Sequence, residues 1–257
     1  MTTLHETKEP SAGAKGELRE TKYTRDALTF ARQTMESANP IMEIVGETGT
    51  GKTTASRRVA EHLRAHRIAC WDGMSRHQIL REAARALGYE GAGMVDKLLA
   101  DRKAAEPATR RALVVDEANK LNWRCLEALR YLADECNVAI VLVGTELYEQ
   151  QFVHARTRDL LLQLGRRIGA KRVRMGRLDR AETYTHIIRP AVGEVSDKEV
   201  ITKFWHGCRK GNWGDGMELA TECRRIMAAH DVAALTPAVL DAALAWSANR
   251  HAVESNA

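Results

Sequence analysis

Aromatic residues make up only 5% of this 257-residue chain, and no apolar run approaches the ~20 residues that a membrane-spanning helix needs. The polar start, Met1 to Lys22, has no apolar core of the kind a secretory leader carries, so a soluble, cytoplasmic protein without a membrane partner is expected. There is no C-x-x-C pair. The five cysteines (Cys70, Cys125, Cys136, Cys208, Cys223) are odd in number and scattered, which points to reduced structural thiols rather than disulfides or metal ligands. Internal repeats and low-complexity tracts are also missing, and the length suits one α/β domain with a small appendage. What the chain does have is a net charge of +5, a balance that permits a nucleic-acid partner without requiring one.

The most informative segment is Gly46-Glu47-Thr48-Gly49-Thr50-Gly51-Lys52-Thr53, the P-loop pattern G-x-x-x-x-G-K-[ST], directly after the apolar run Ile41 to Val45. Its glycines let backbone N–H groups curl around phosphate oxygens where a side chain would block the approach. The Lys52 ammonium can reach the β- and γ-phosphates, and the Thr53 hydroxyl can hold Mg²⁺. A helix opening at Lys52 turns its positive dipole end toward the same anion. A nucleoside triphosphate, with ATP and Mg²⁺ as cofactors, is the expected ligand.

Residues 1–20 mix Lys, Glu, Ser and Gly without periodicity and read as a mobile tail. Helix is predicted for Arg25 to Glu36, His77 to Leu87, Met94 to Ala104 and Trp123 to Cys136. Strand is predicted for Arg67 to Trp71, Ala112 to Asp116 and Val138 to Gly144, the last two uniformly apolar as in a parallel sheet covered on both faces. Beyond Leu178 strand signals stop. Asp179 to Ile188, Asp197 to His206, Met217 to Ala229 and Pro237 to Ser247 read as helices punctuated by Pro190, Gly211, Gly214 and Pro237, with Thr236 as an N-cap. The expected class is α/β: a P-loop parallel sheet flanked by helices over residues 21–178, followed by a small all-helical lid domain over 179–257.

Arg111 to Ala118 has the form of a Walker B strand. Asp116 at its carboxyl end would hold Mg²⁺ beside Thr53, and Glu117 would orient and deprotonate a water attacking the γ-phosphate. Val141 to Thr145 ends a strand expected beside the P-loop strand, which puts Thr145 near the γ-phosphate. From His154 to Arg180 nine basic residues (Arg156, Arg158, Arg166, Arg167, Lys171, Arg172, Arg174, Arg177, Arg180) stand against two acids, Asp159 and Asp179. A density of that kind suggests phosphate contacts or an arginine finger offered to a neighbouring subunit.

Taken together, Gly46 to Thr54, Val114 to Leu121, Val141 to Thr145 and Gln163-Leu164-Gly165-Arg166-Arg167-Ile168 resemble the AAA+ ATPases, and within them the MuB/TnsC-like ATPases of transposons and transposable phages. The resemblance covers roughly residues 20–250. It implies an ATPase that assembles with itself as a ring or filament on double-stranded DNA, marks the target and activates a transposase, with hydrolysis dissolving the assembly. It makes Arg167 the trans finger and Tyr23-Thr24 the segment closing over adenine. It turns the loops after the second strand and Walker B toward DNA, with Arg76, Lys97, Arg102, Lys103, Lys120 and Arg124 as contacts. Two departures stand out. Gly211 to Asp215 lacks the lid arginine of many AAA+ proteins, and the roughly 40 residues before the first strand are too few for a separate DNA-binding module. Helicase-loader-type and ExeA-type AAA+ ATPases, a P-loop small-molecule kinase and a slow signalling switch are the competing readings. The Asp116-Glu117 pair favours attack by water over transfer to a small acceptor.

Overall fold

The computed structural model describes residues 21–145, 150, 151, 153 and 155–254. The tail expected over residues 1–20, His154 at the head of the basic run and the Arg156 side chain lie outside what is described. In chain order the core runs α1 (Lys22–Glu36), β1 (Ile41–Gly46), α2 (Lys52–Leu63), β2 (His66–Ala69), α3 (Arg76–Ala86), α4 (Met94–Lys103), β3 (Arg111–Asp116), α5 (Trp123–Glu135), β4 (Val138–Gly144), α6 (Ala155–Ile168) and β5 (Arg172–Met175). The five strands form one parallel sheet in the order β2-β3-β4-β1-β5. The P-loop strand β1 therefore lies between β4 and β5, and the expected β1–β4 neighbourhood is present with Ile44 opposite Val143.

Strand alternation divides the core into two layers. Val45, Leu113, Val115, Ile140 and Leu142 face helices α3 to α6, while Met42, Ile44, Val114, Val141 and Val143 face α1 and α2. All seven residues of β4 are buried, which is why it carries no polar alternation. The one charged residue of β1, Glu43, is fully buried and forms an ion pair with its cross-strand neighbour Arg172, tying the edge strand to the centre of the sheet. Side-chain caps set several helix starts: Thr21 with Thr24 opens α1, Ser75 with Gln78 opens α3, and Asn122 opens α5.

A second apolar cluster begins at Leu178 and is entirely helical. It contains α7 (Arg180–Thr183), a π turn (Tyr184–Ile188), α8 (Arg189–Val192), α9 (Lys198–Gly207), α10 (Trp213–Ala229) and α11 (Pro237–Glu254). Pro190 does not end a helix as expected. It follows the π turn, and helical structure runs unbroken from Arg180 to Val192. The helix expected from Met217 starts four residues earlier because Asn212 caps it. Thr236 acts as predicted, its hydroxyl accepting from the Val239 N–H at 3.3 Å. All five cysteines are free and buried. Among the described residues no helix is long and apolar enough to cross a membrane.

Candidate nucleotide site

The loop between β1 and α2 holds Gly49 at φ 80° and Gly51 at φ 89°, left-handed conformations that side chains resist. A Cβ on Gly49 would also collide with the Asn212 side chain. Lys52 lies across the loop, its Nζ donating to the carbonyls of Gly46 at 2.8 Å and Glu47 at 2.6 Å. Thr50 closes the turn with a 2.8 Å bond from its hydroxyl to the Glu47 carbonyl. Glu47, Thr48, Gly49, Gly51, Lys52, Thr53 and Thr54 line a cavity of about 700 Å³. Glu117 and Asn119 form another wall, with Thr145 beside them and Trp213 and Gly214 closing the far side.

Asp116 ends β3 almost buried, at 6% exposure. Its Oδ1 accepts from the Glu117 N–H at 3.0 Å, and its Oδ2 accepts from the Arg67 guanidinium at 2.6 Å. Glu117 follows at φ 59° and ψ 38°, a left-handed conformation costing roughly 1–2 kcal/mol in a residue with a Cβ. That backbone turn ends the strand and swings the carboxylate to the cavity wall, where it lies 3.6 Å from the Lys120 ammonium. Asn119 Oδ1 accepts from the Thr145 N–H at 3.3 Å and so ties the ends of β3 and β4 together. The Thr145 hydroxyl is buried with no partner among the described residues. A buried hydroxyl on a cavity wall fits a ligand that supplies its hydrogen bond, as a phosphate oxygen would. Thr53 and Asp116 offer the hard oxygen donors that Mg²⁺ takes.

The helical unit docks directly on the P-loop. Asn212, 2% exposed, donates from Nδ2 to the Thr48 carbonyl at 2.9 Å while its Oδ1 caps α10 at the Asp215 N–H, 3.2 Å away. The Gly214 N–H donates to the Gly49 carbonyl at 2.8 Å. From the other side Arg177 bonds Glu47 at 2.7 Å and the Arg209 carbonyl at 2.9 Å, and Arg209 in turn pairs with Asp215. The Asn212 and Gly214 bonds use loop carbonyls, so neither occupies a loop N–H group. Sequence reasoning looked here for an arginine and passed over Asn212 and Trp213. The signal was present in the asparagine preceding an apolar helix, but its partner lies 164 residues away.

The remaining expected residues scatter. Thr24 is buried, its hydroxyl donating to the Thr21 carbonyl at 2.8 Å, and the Tyr23 phenol lies against Gly176; neither lines the cavity. Arg102 must be corrected as a surface contact. It is 7% exposed, and its guanidinium donates to the carbonyls of Thr109 and Asn137 at 3.0 and 3.1 Å, so it clamps two connections inside the core. Lys103 sits over the Tyr131 ring, Arg124 over the Trp123 ring, and Lys120 on Glu117. Arg76 and Arg124 do come together, lining with Trp123 and Tyr131 a groove of about 340 Å³; Lys97 stands apart from it. The dense basic run disperses in space. Arg172 pairs with Glu43, Arg177 with Glu47, and Arg167 with Asp134 at 3.1 Å on the neighbouring α5. Arg166 remains exposed.

Residues 35–152 match the AAA domain family. The chain is similar to the "Mu-like prophage FluMu DNA transposition protein B" of Haemophilus influenzae, with 34% identity over 115 residues, 42% of this chain and 39% of that protein. The chain thus matches well under half the length of that relative. The AAA core with its helical unit superposes on the "RuvB Holliday junction branch migration motor" of Thermotoga maritima with a TM-score of 0.55 and 15% identity, covering 86% of this chain and 68% of that one. The P216G mutant of the same RuvB gives a TM-score of 0.56 at 15% identity, covering 86% and 69%. At such identity these two show the fold alone: a parallel sheet flanked by helices and followed by a helical unit. The chain is thus similar to the AAA domain family over residues 35–152 and, over 42% of its length, to a transposition protein B.

Proposed function

We propose that this protein is an ATP-dependent, sequence-tolerant DNA-binding ATPase. In this reading it assembles on duplex DNA as a ring or filament, marks that DNA as a transposition target and activates the transposase, with hydrolysis releasing the assembly. The observation that carries the reading is the meeting of Lys52, Thr53, Glu117 and the Thr145 hydroxyl, buried with no partner among the described residues, around one P-loop cavity, with Asp116 next to Glu117 at the strand end, in a chain part of which resembles a DNA transposition protein.

Lys52 and the loop N–H groups hold the β- and γ-phosphates of ATP, and Thr53 with Asp116 holds Mg²⁺. Bound Mg²⁺ supplies neutralisation of charge on the triphosphate. Glu117 orients the attacking water and accepts its proton, and Thr145 donates to a γ-phosphate oxygen. A neighbouring subunit completes the site with a guanidinium from Arg166-Arg167. Arg76 and Arg124, beside Trp123, offer a basic and aromatic face to DNA phosphates and sugars. Net charge of +5 supports the same partner.

Sedimentation with and without ATP and duplex DNA tests the proposal. ATP and DNA together should give a large assembly that weakens steeply with salt, as released counterions require. A monomer under those conditions refutes it. Lys52→Ala should bind neither ATP nor DNA.

A further inference from the structure

We propose that Arg67 is a movable counter-cation on the metal-binding carboxylate, drawn off Asp116 by a backbone phosphate of nucleic acid, so that DNA raises the site's affinity for Mg²⁺. The proposal rests on the reading above that the chain binds DNA and Mg²⁺-ATP, and it adds a route between the two.

The route follows from strand register. In the β2–β3 pairing Arg67 lies opposite Val114 and Ala69 opposite Asp116, so Arg67 and Asp116 are diagonal neighbours on the face covered by α2. The guanidinium spans that diagonal to Oδ2 at 2.6 Å, where the Ser56 hydroxyl also points at 3.5 Å. With Oδ1 on the Glu117 N–H, both oxygens of the carboxylate are engaged within the protein. A divalent cation at Thr53 and Asp116 must therefore either share the carboxylate with a guanidinium or displace it. Two cations on one nearly buried carboxylate repel each other strongly in a medium of reduced dielectric constant.

Arg67 has a second place to go. β2 is one of the two edge strands, and beside it lies an open cleft of about 410 Å³ lined by Arg57, Arg64, His66 and Arg67 itself, with Glu61 as its acid. This cleft is cationic. Empty, it offers Arg67 nothing, and the side chain stays on Asp116. A phosphodiester seated there is attractive to all four basic groups and stabilises the outward position, leaving Asp116 to the metal. Coupling of this kind is reciprocal: Mg²⁺-ATP releases Arg67 toward DNA as DNA releases Asp116 toward Mg²⁺. Arg67 is thus a positioning residue, acting on the metal through Asp116.

The test is the Mg²⁺ concentration that half-saturates binding of a fluorescent ATP analogue, measured for wild type and Arg67→Ala with and without short duplex DNA. Wild type should need about tenfold less Mg²⁺ when DNA is present. Arg67→Ala should already sit at the lower value and show no DNA-dependent shift. Arg67→Lys, which keeps the charge, should retain part of the shift and guards against a folding defect in the alanine variant. If Arg67→Ala without DNA needs as much Mg²⁺ as wild type, or if DNA shifts it as far as wild type, the proposal is overturned. DNA anisotropy on wild type separates the two failures. Without DNA binding the functional reading fails, and the DNA-free comparison of the two proteins still decides whether Arg67 holds the carboxylate against the metal.

Discussion

Replacing Asn212 with alanine removes two interactions at once, on two parts of the molecule. The side-chain oxygen caps α10, a bond whose loss costs about 1 kcal/mol. The side-chain N–H₂ donates to the Thr48 carbonyl in a setting where Asn212 is 2% exposed, so the deletion leaves a poorly hydrated carbonyl and costs about 1–2 kcal/mol more. The sum is about 2–3 kcal/mol, which for a chain of this size lowers the melting temperature by about 4–12 °C. Thr48 also loses its anchor, so the affinity for ATP falls alongside stability. Asn212→Asp divides the two contributions. Its carboxylate keeps the cap but loses the donor to Thr48 and places a negative charge beside the phosphate cavity, so ATP affinity should fall further than the melting temperature does. Thermal unfolding by circular dichroism and titration with a fluorescent ATP analogue read both quantities. The argument is refuted if Asn212→Ala melts within about 1 °C of wild type and binds the nucleotide equally well.

Glu117→Gly should abolish hydrolysis yet stabilise the fold by about 0.5–1 kcal/mol, because it relieves a left-handed residue with a Cβ; a lower melting temperature would show that the strain is not there. Arg167→Ala should destabilise by about 1 kcal/mol through the loss of its pair with Asp134, whereas Arg166→Ala should leave the melting curve unchanged and lose DNA-stimulated hydrolysis. The reverse pattern in these two variants would assign the subunit-bridging role to Arg167, as the family resemblance implies, rather than to Arg166. Burial pushes the thiols of Cys70 and Cys223 up to about 12 and that of Cys208 up to about 11. Since their folded values exceed the ordinary thiol value of 9.0, the stability they contribute is complete below pH 9 and is lost as pH rises toward 11–12. Chemical unfolding midpoints should fall across that window and stay level for these groups below it. A thiol reagent at neutral pH should react with them only as fast as the chain opens.

The chemistry of the phosphate cavity was legible because it is local. Eight consecutive residues specify the P-loop, and the pair Asp116-Glu117 reads directly from an apolar run that ends in two acids. The buried strands β3 and β4 were equally plain, since burial on both faces erases polar alternation. What escaped depends on packing between distant segments. Arg102 and Arg124 look alike on paper, yet one points into the core at two carbonyls and the other stacks on Trp123 at the surface. The arginine run from 156 to 180 looked like one patch because a linear count cannot see a helix followed by an edge strand distributing its charges. The grip of Asn212 on Thr48 was invisible for the same reason: neither residue type demands the other, and only the docking of the helical unit brings them together.

Trp213, the first residue of α10, rests its indole beside Gly51 on the wall of the phosphate cavity. The protein thereby carries a built-in fluorophore where the P-loop and the helical unit meet. Emission that disappears in a Trp213→Phe variant would follow ligand arrival at that wall without a dye, on the millisecond scale of a stopped-flow instrument.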